Sequence, residues 1–177
     1  MNQVPPSISE LTLAATPNAV AWARRHTVDV LQRWRFPAEG IEVARLLVSE
    51  LATNAILHAR RAESSGSSGT GSAGPGVITL RLWPTEHGVV LLVGDADPRP
   101  PVLRAGGLGA TGGRGLLLTQ TMASCWGYYH PGHHPGKIVW AHVPTRPNAS
   151  LNEPGGASGQ LAPPLLIGRI LTGLREL

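Results

Sequence analysis

The sequence predicts an α/β (α+β) two-layer sandwich, a mostly antiparallel mixed sheet covered on one face by three helices. Three observations point there. One helix carries a carboxylate and an amide on a single face (Glu50 and Asn54), an aspartate directly follows a strand (Asp95), and glycines open the next helix (Gly113 and Gly115). They fall along the chain in the order and spacing that one architecture requires.

Residues 1–8 read as a loose arm. Glu10 to Ala14 alternates polar and apolar as a half-buried strand does. Pro17 then opens a helix at its tolerated first position, and the segment to about Trp34 sets Val20, Ala23, Thr27, Val30, Leu31 and Trp34 at three- and four-residue spacings. Arg24, Arg25, Arg33 and Arg35 form its wet face or a partner-docking surface. A second helix starts at Pro37 and runs through Ile41, Ala44, Leu47, Val48 and Leu51 to His58. Steps of four place Glu50, Asn54 and His58 in one row along it. An isolated E-x-x-x-N is ordinarily a solvated helix face. Here apolar neighbours would pack the helix into the domain, so the row sits over something that needs it. Asn54 offers a carbonyl oxygen to a hard cation, and Glu50 can polarise a water or accept a hydroxyl proton.

A Gly/Ser tract at 62–76 has nothing to bury and reads as a disordered connection. Val77 to Trp83 and Val89 to Val93 are β-branched and aliphatic, with Glu86-His87-Gly88 as the turn between them. Asp95 follows at the strand end. A lone carboxylate there accepts a hydrogen bond from the exocyclic amine of adenine, where guanine carries an oxygen. Gly107 to Gly112 matches G-x-G-x-x-G, but the preceding Pro-Arg-Pro-Pro-Val-Leu-Arg is no strand, which excludes the dinucleotide fingerprint. Glycines leading into the helix 116–122 still make an anion site of free N–H groups and helix dipole, to which Arg114 adds a charged donor. Trp126 to Tyr129 and Ile138 to Val143 form a last hairpin. The His130, His133, His134 and Cys125 cluster lacks the second ligand pair of a zinc site. Residues 145–163 are linker-like, and 164–177, apolar at Leu166, Ile170, Leu171 and Leu174, read as a short helix or tail folded back on the domain, or docked on a partner or second protomer.

Composition narrows the function classes. With 15 basic against 11 acidic residues the net charge is +4, and the arginines are spread from Arg24 to Arg175 rather than gathered in a stripe, which argues against direct nucleic-acid binding. A single cysteine, Cys125, precludes an intramolecular disulfide, and neither a signal segment nor a membrane-length apolar run appears. A cytoplasmic protein is expected.

Glu50 to Ala59 resembles the N box of the Bergerat-fold ATP-binding domains shared by Hsp90, gyrase, sensor histidine kinases and bacterial anti-sigma-factor serine/threonine kinases. Asp95 resembles the aspartate that opens the G1 box, and Gly113-Arg114-Gly115-Leu116 resembles the G2 box. From about residue 9 to 144 the chain is most similar to the small anti-sigma regulatory kinases. The resemblance implies ATP held between helices and sheet. Asn54 would hold Mg²⁺, Asp95 would take the adenine, Gly113, Arg114, Gly115 and Leu116 would close on the phosphates, and Glu50 would receive the proton of a partner's serine. That partner would be an anti-anti-sigma protein, and a homodimer is compatible with the pattern. The chain departs from the family at Asp97 and Arg99, which replace the two glycines of D-x-G-x-G, and at Ile138, near the place of a threonine that backs the aspartate. These departures sustain an alternative, a non-catalytic nucleotide-binding module that sequesters a sigma factor or another regulatory partner. A histidine kinase is not expected, since the first helix has no fitting His-Glu motif. A gyrase-type ATPase would need a second domain to supply a lysine.

Overall fold

The structure, a computed structural model, describes residues 7–65, 76–101, 115–132 and 135–145. The Gly/Ser connection at 66–75, the glycine segment 102–114 and the chain beyond 145 lie outside the described residues.

In chain order the elements are β1 (Ser9–Ala14), α1 (Pro17–Arg33), α2 (Ala38–Ser65), β2 (Val77–Thr85), β3 (Gly88–Asp95), α3 (Gly115–Met122), β4 (Cys125–Tyr129) and β5 (Lys137–Pro144). The strands form one sheet in the order β1-β2-β3-β5-β4. Every pair in it is antiparallel, so the sheet expected to be mostly antiparallel is antiparallel throughout. The last strand is thus inserted beside β3, with β4 outside it.

Both long helices follow from their apolar spacing. α1 buries Ala19, Ala23, Thr27, Val30 and Leu31. It ends in a Schellman turn in which Phe36 N–H bonds Leu31 C=O and Arg35 N–H bonds Gln32 C=O. Arg35 takes the left-handed conformation (φ 57°) usually given to glycine there, and the chain turns at once into α2. α2 runs past the expected end at His58 to Ser65, so the first residues assigned to the flexible connection are helical. Ala59-Arg60-Arg61-Ala62-Glu63 are good helix formers, which carries the helix past His58.

The sheet has two unequal faces. Val89, Leu91 and Val93 of β3 join Leu47, Leu51, Ala55 and Leu116 in the main core under the helices. Val90 and Leu92 alternate to the other face, where they pack with Trp140, Trp83 and Tyr129. All eight residues of β3 are therefore buried. Fully burying one such Val or Leu side chain contributes about 1.5–3 kcal/mol relative to exposure, which makes β3 the apolar axis of the domain.

The β2–β3 hairpin is one residue tighter than expected. Thr85 pairs with Gly88, which leaves only Glu86 and His87 in the turn. Gly88 belongs to the strand through its pairing with Thr85 and Pro144, and a Cβ on it would lie 2.2 Å from the Val143 carbonyl oxygen of β5.

At the other end of β3, Asp95 pairs with Lys137, the first residue of β5. Gly136 just before it has φ +123°, and a Cβ there would lie 2.1 Å from the Asp95 carbonyl oxygen. Backbone strain and this collision act together, so Gly136→Ala is expected to destabilise the domain by about 2 kcal/mol or more. The urea midpoint measures this; an unchanged midpoint would contradict the close approach of the two strand ends.

Candidate functional site

Helix α2 lies over β3 and β5 and carries Glu50, Asn54 and His58 at four-residue steps. Glu50 and Asn54 are half-buried, between the core face of the helix and solvent. The third member of the row makes the contact that places the other two. His58 Nδ1–H donates to Asp97 Oδ2 at 2.8 Å, tying α2 to the turn after β3.

That turn is built by carboxylates. Asp97 N–H donates to Asp95 Oδ1 at 2.8 Å, and Arg99 N–H donates to Asp97 Oδ1 at 3.0 Å. Each is an aspartate side chain bonding the backbone two residues on, a local geometry that needs no glycine. Arg99 Nε also reaches both Asp97 oxygens, at 2.9 and 3.1 Å. Beneath them lies Lys137. Its Nζ donates to Asp95 Oδ1 at 2.9 Å and to the Asp97 carbonyl at 3.0 Å. Lys137 is only 2% exposed, Asp95 8% and Asp97 1%, so the three charged groups form one interior cluster.

The two carboxyls respond in opposite senses. Burial pushes Asp95 up from the ordinary carboxylate range, against the pull of the Lys137 ammonium and the Asp97 amide. Burial also acts upward on Asp97, but there the bonds from Arg99 and His58 win and hold it well below that range. Among the described residues no three His, Cys, Asp or Glu side chains gather in a metal-binding group.

The remaining expected residues are placed less fully. Gly113 and Arg114 lie outside the described residues. Gly115 is the first residue of α3, at the helix start where the anion site was expected. Leu116 is buried in the main core, which leaves its backbone N–H as what it can offer a ligand. Ile138 does not back the aspartate: it pairs with Gly94 and packs on the other face, with Trp140. Lys137 stands in that position instead, one residue earlier. It is the only lysine in the sequence, at the head of the apolar run Ile138 to Ala141, and a lone charge leading a buried strand was the signal that could have found it.

The sequence profile of the histidine kinase-like ATPase domain matches residues 13–142. The chain belongs to this family of ATP-binding domains, and the antiparallel sheet with helices on one face is its fold. No curated protein matches the chain.

The electrostatics predict an acid response with a definite sign. A carboxyl held below its unfolded value leaves the native state with fewer bound protons than the unfolded chain. Its stabilisation is present above the unfolded pKa of about 3.9 and is lost as pH falls toward the lower folded value. Asp97→Asn should therefore lower stability at neutral pH and flatten the loss of stability between about pH 5 and pH 2. Urea midpoints across that range for the two proteins measure it, and parallel curves would refute the assignment.

Proposed function

We propose that the chain is an ATP-dependent regulatory serine/threonine kinase of the anti-sigma type, acting in the cytoplasm on an anti-anti-sigma partner. The observation that carries this reading is the His58–Asp97 hydrogen bond. Because Glu50, Asn54 and His58 share one row of α2, a bond from His58 to the turn after β3 holds that row over the strand end bearing Asp95.

The residues fit Mg-ATP. Asn54 presents a half-buried carbonyl oxygen, a hard donor suited to Mg²⁺, which ordinarily takes one or two protein ligands and completes its shell with phosphates and water. Asp95 offers its carboxylate to the base, and the N-terminal N–H groups of α3, at Gly115 and Leu116, serve the phosphates, with Gly113 and Arg114 directly before them in the sequence. Mg-ATP supplies the phosphoryl group. Glu50, half-exposed on the same row, is placed to accept the proton of an incoming serine hydroxyl. Phosphorylation would release the partner.

A second reading is favoured by the turn itself. Where the family has glycines, Asp97 and Arg99 are tied to each other and to His58. A turn fixed in this way suits a module that binds nucleotide and holds a sigma factor or another partner without turnover.

Two substitutions separate the readings. Asn54→Ala should weaken Mg-ATP binding by at least about a hundredfold in calorimetric titration. Glu50→Gln should leave binding within about threefold of the parent while removing phosphate transfer to the partner. If Glu50→Gln transfers phosphate at the parent rate, Glu50 is not the base; if the parent binds Mg-ATP and transfers nothing, the sequestering module is the better description.

A further inference from the structure

The sheet face away from the helices is apolar as well. Val90 and Leu92 of β3 and Trp140 of β5, with Trp83, Cys125, Tyr129 and Ile138 around them, form a patch across four strands. Trp140 pairs with Gly127 of β4, and its indole lies over that glycine, within 3.1–3.2 Å of where a Cβ would stand. One side of the ring is against the strand and the other is turned away from the sheet. A tryptophan placed so on an open sheet keeps part of its ring in water, yet Trp140 is 0% exposed, Leu92 2% and Val90 3%. Among the described residues no helix packs here, since the buried apolar residues of α1, α2 and α3 belong to the core on the other face. Trp140 Nε1 and Tyr129 Oη are also buried without a hydrogen-bond partner. Buried polar groups are nearly always paired, so both call for an acceptor over this face.

We propose that this face is a docking site for the chain's own residues 164–177, which pack across it as an amphipathic helix. At about 3.6 residues per turn, Leu166, Ile167, Ile170, Leu171, Leu174 and Leu177 fall in one stripe about 140° wide. Arg169, Thr172 and Arg175 fall outside it. The described chain leaves β5 at Thr145, whose N–H and hydroxyl both donate to the His87 carbonyl, at the hairpin end of the same sheet. Residues 146–163 can span up to about 60 Å, while Trp140 is only about 14 Å back along the strand from Pro144. The dimensions agree as well. A helix over 165–174 is about 15 Å long, and the three strand spacings from β2 to β4 come to about 14 Å. The end of a helix also brings carbonyl oxygens that have no partner within it, the acceptors that Trp140 Nε1 and Tyr129 Oη lack. The other segments outside the described residues offer nothing comparable. Residues 66–75 are Gly, Ser, Thr, Ala and Pro throughout, 1–6 carry only Met1 and Val4, and 102–114 lead directly into α3 on the opposite face. The proposal is independent of what the helical face binds.

The chain's single cysteine reports on the cover, because Cys125 is half-buried at the border of the patch. The experiment measures how fast Cys125 reacts with dithionitrobenzoate in the full chain, in Ile170→Asp inside the stripe and in Thr172→Asp outside it. Far-UV circular dichroism checks the fold of each. Losing one buried Ile side chain shifts the opening equilibrium of the cover by at least about tenfold, so Ile170→Asp should react at least about tenfold faster than the parent. Thr172→Asp, on the wet side of the helix, should stay within about twofold of the parent. Equal rates in the parent and Ile170→Asp overturn the proposal. An equal acceleration by Thr172→Asp also overturns it, since the effect would not follow the stripe. A parent rate that rises on dilution overturns it too, because the cover would then be a second copy of the chain. Should Ile170→Asp fail to fold, Leu174→Ala takes its place under the same criteria.

Discussion

A lysine ammonium buried inside a sheet needs hydrogen-bond acceptors held in fixed places around it, and much of this domain's geometry follows from that requirement. Lys137 finds its acceptors in the Asp95 carboxylate and the Asp97 carbonyl. Asp97 in turn holds its own charge through His58 and Arg99. Removing one partner of such a pair leaves an uncompensated buried charge, at a cost of about 3–5 kcal/mol. The end of β3, the start of β5 and the third turn of the Glu50 row on α2 are therefore fixed as a unit. Gly136 makes the unit sterically possible, because only a residue without a Cβ lets β5 begin so close to the Asp95 backbone.

Apolar burial and buried charge divide the work. The clusters on the two faces of β3 supply the stabilisation, but an aliphatic strand packed on both sides says little about register. A slip of one residue along β5 would set Ile138 opposite Asp95 and send every side chain of the strand to the wrong face. The ion pair opposes that slip with a buried and unpaired carboxylate. Gly127 does the same from the outer strand, since its missing Cβ is what lets the Trp140 ring lie against β4.

The sequence made the apolar scaffold legible and left most of the polar site hidden. α1 and α2 could be read because their buried residues recur at helical spacing, and β3 because an aliphatic run between turn residues has few other uses. The end of α2 was misjudged because helix formers continue past the motif that drew attention to His58. Lys137 was missed for a different reason. Its partner Asp95 is 42 residues away along the chain, and no local pattern pairs two strands across that distance. The resemblance pointed to the correct strand but one residue late, and with a period of two that error changes the face. Asp97 and Arg99 were read as glycines lost, when the gain of a hydrogen-bonding side chain was the informative change.

Asp97 also shows how a turn can do without the glycines its family uses. A glycine-built turn is free to move, and a ligand that orders it must offset the conformational entropy it loses. Here two aspartate side chains already bond the backbone amides of the turn, and His58 ties it to the helix above. The turn is held by its own side chains and joined to the row of Glu50 and Asn54 through His58. That arrangement lowers the ordering cost of binding, and it couples the helix to the strand end through one direct contact. A displacement of α2 must either break the His58–Asp97 bond or carry the turn with it, and moving the turn disturbs the acceptors of Lys137. The same buried charge that fixes the strand register thus makes the two walls of the site respond to one another.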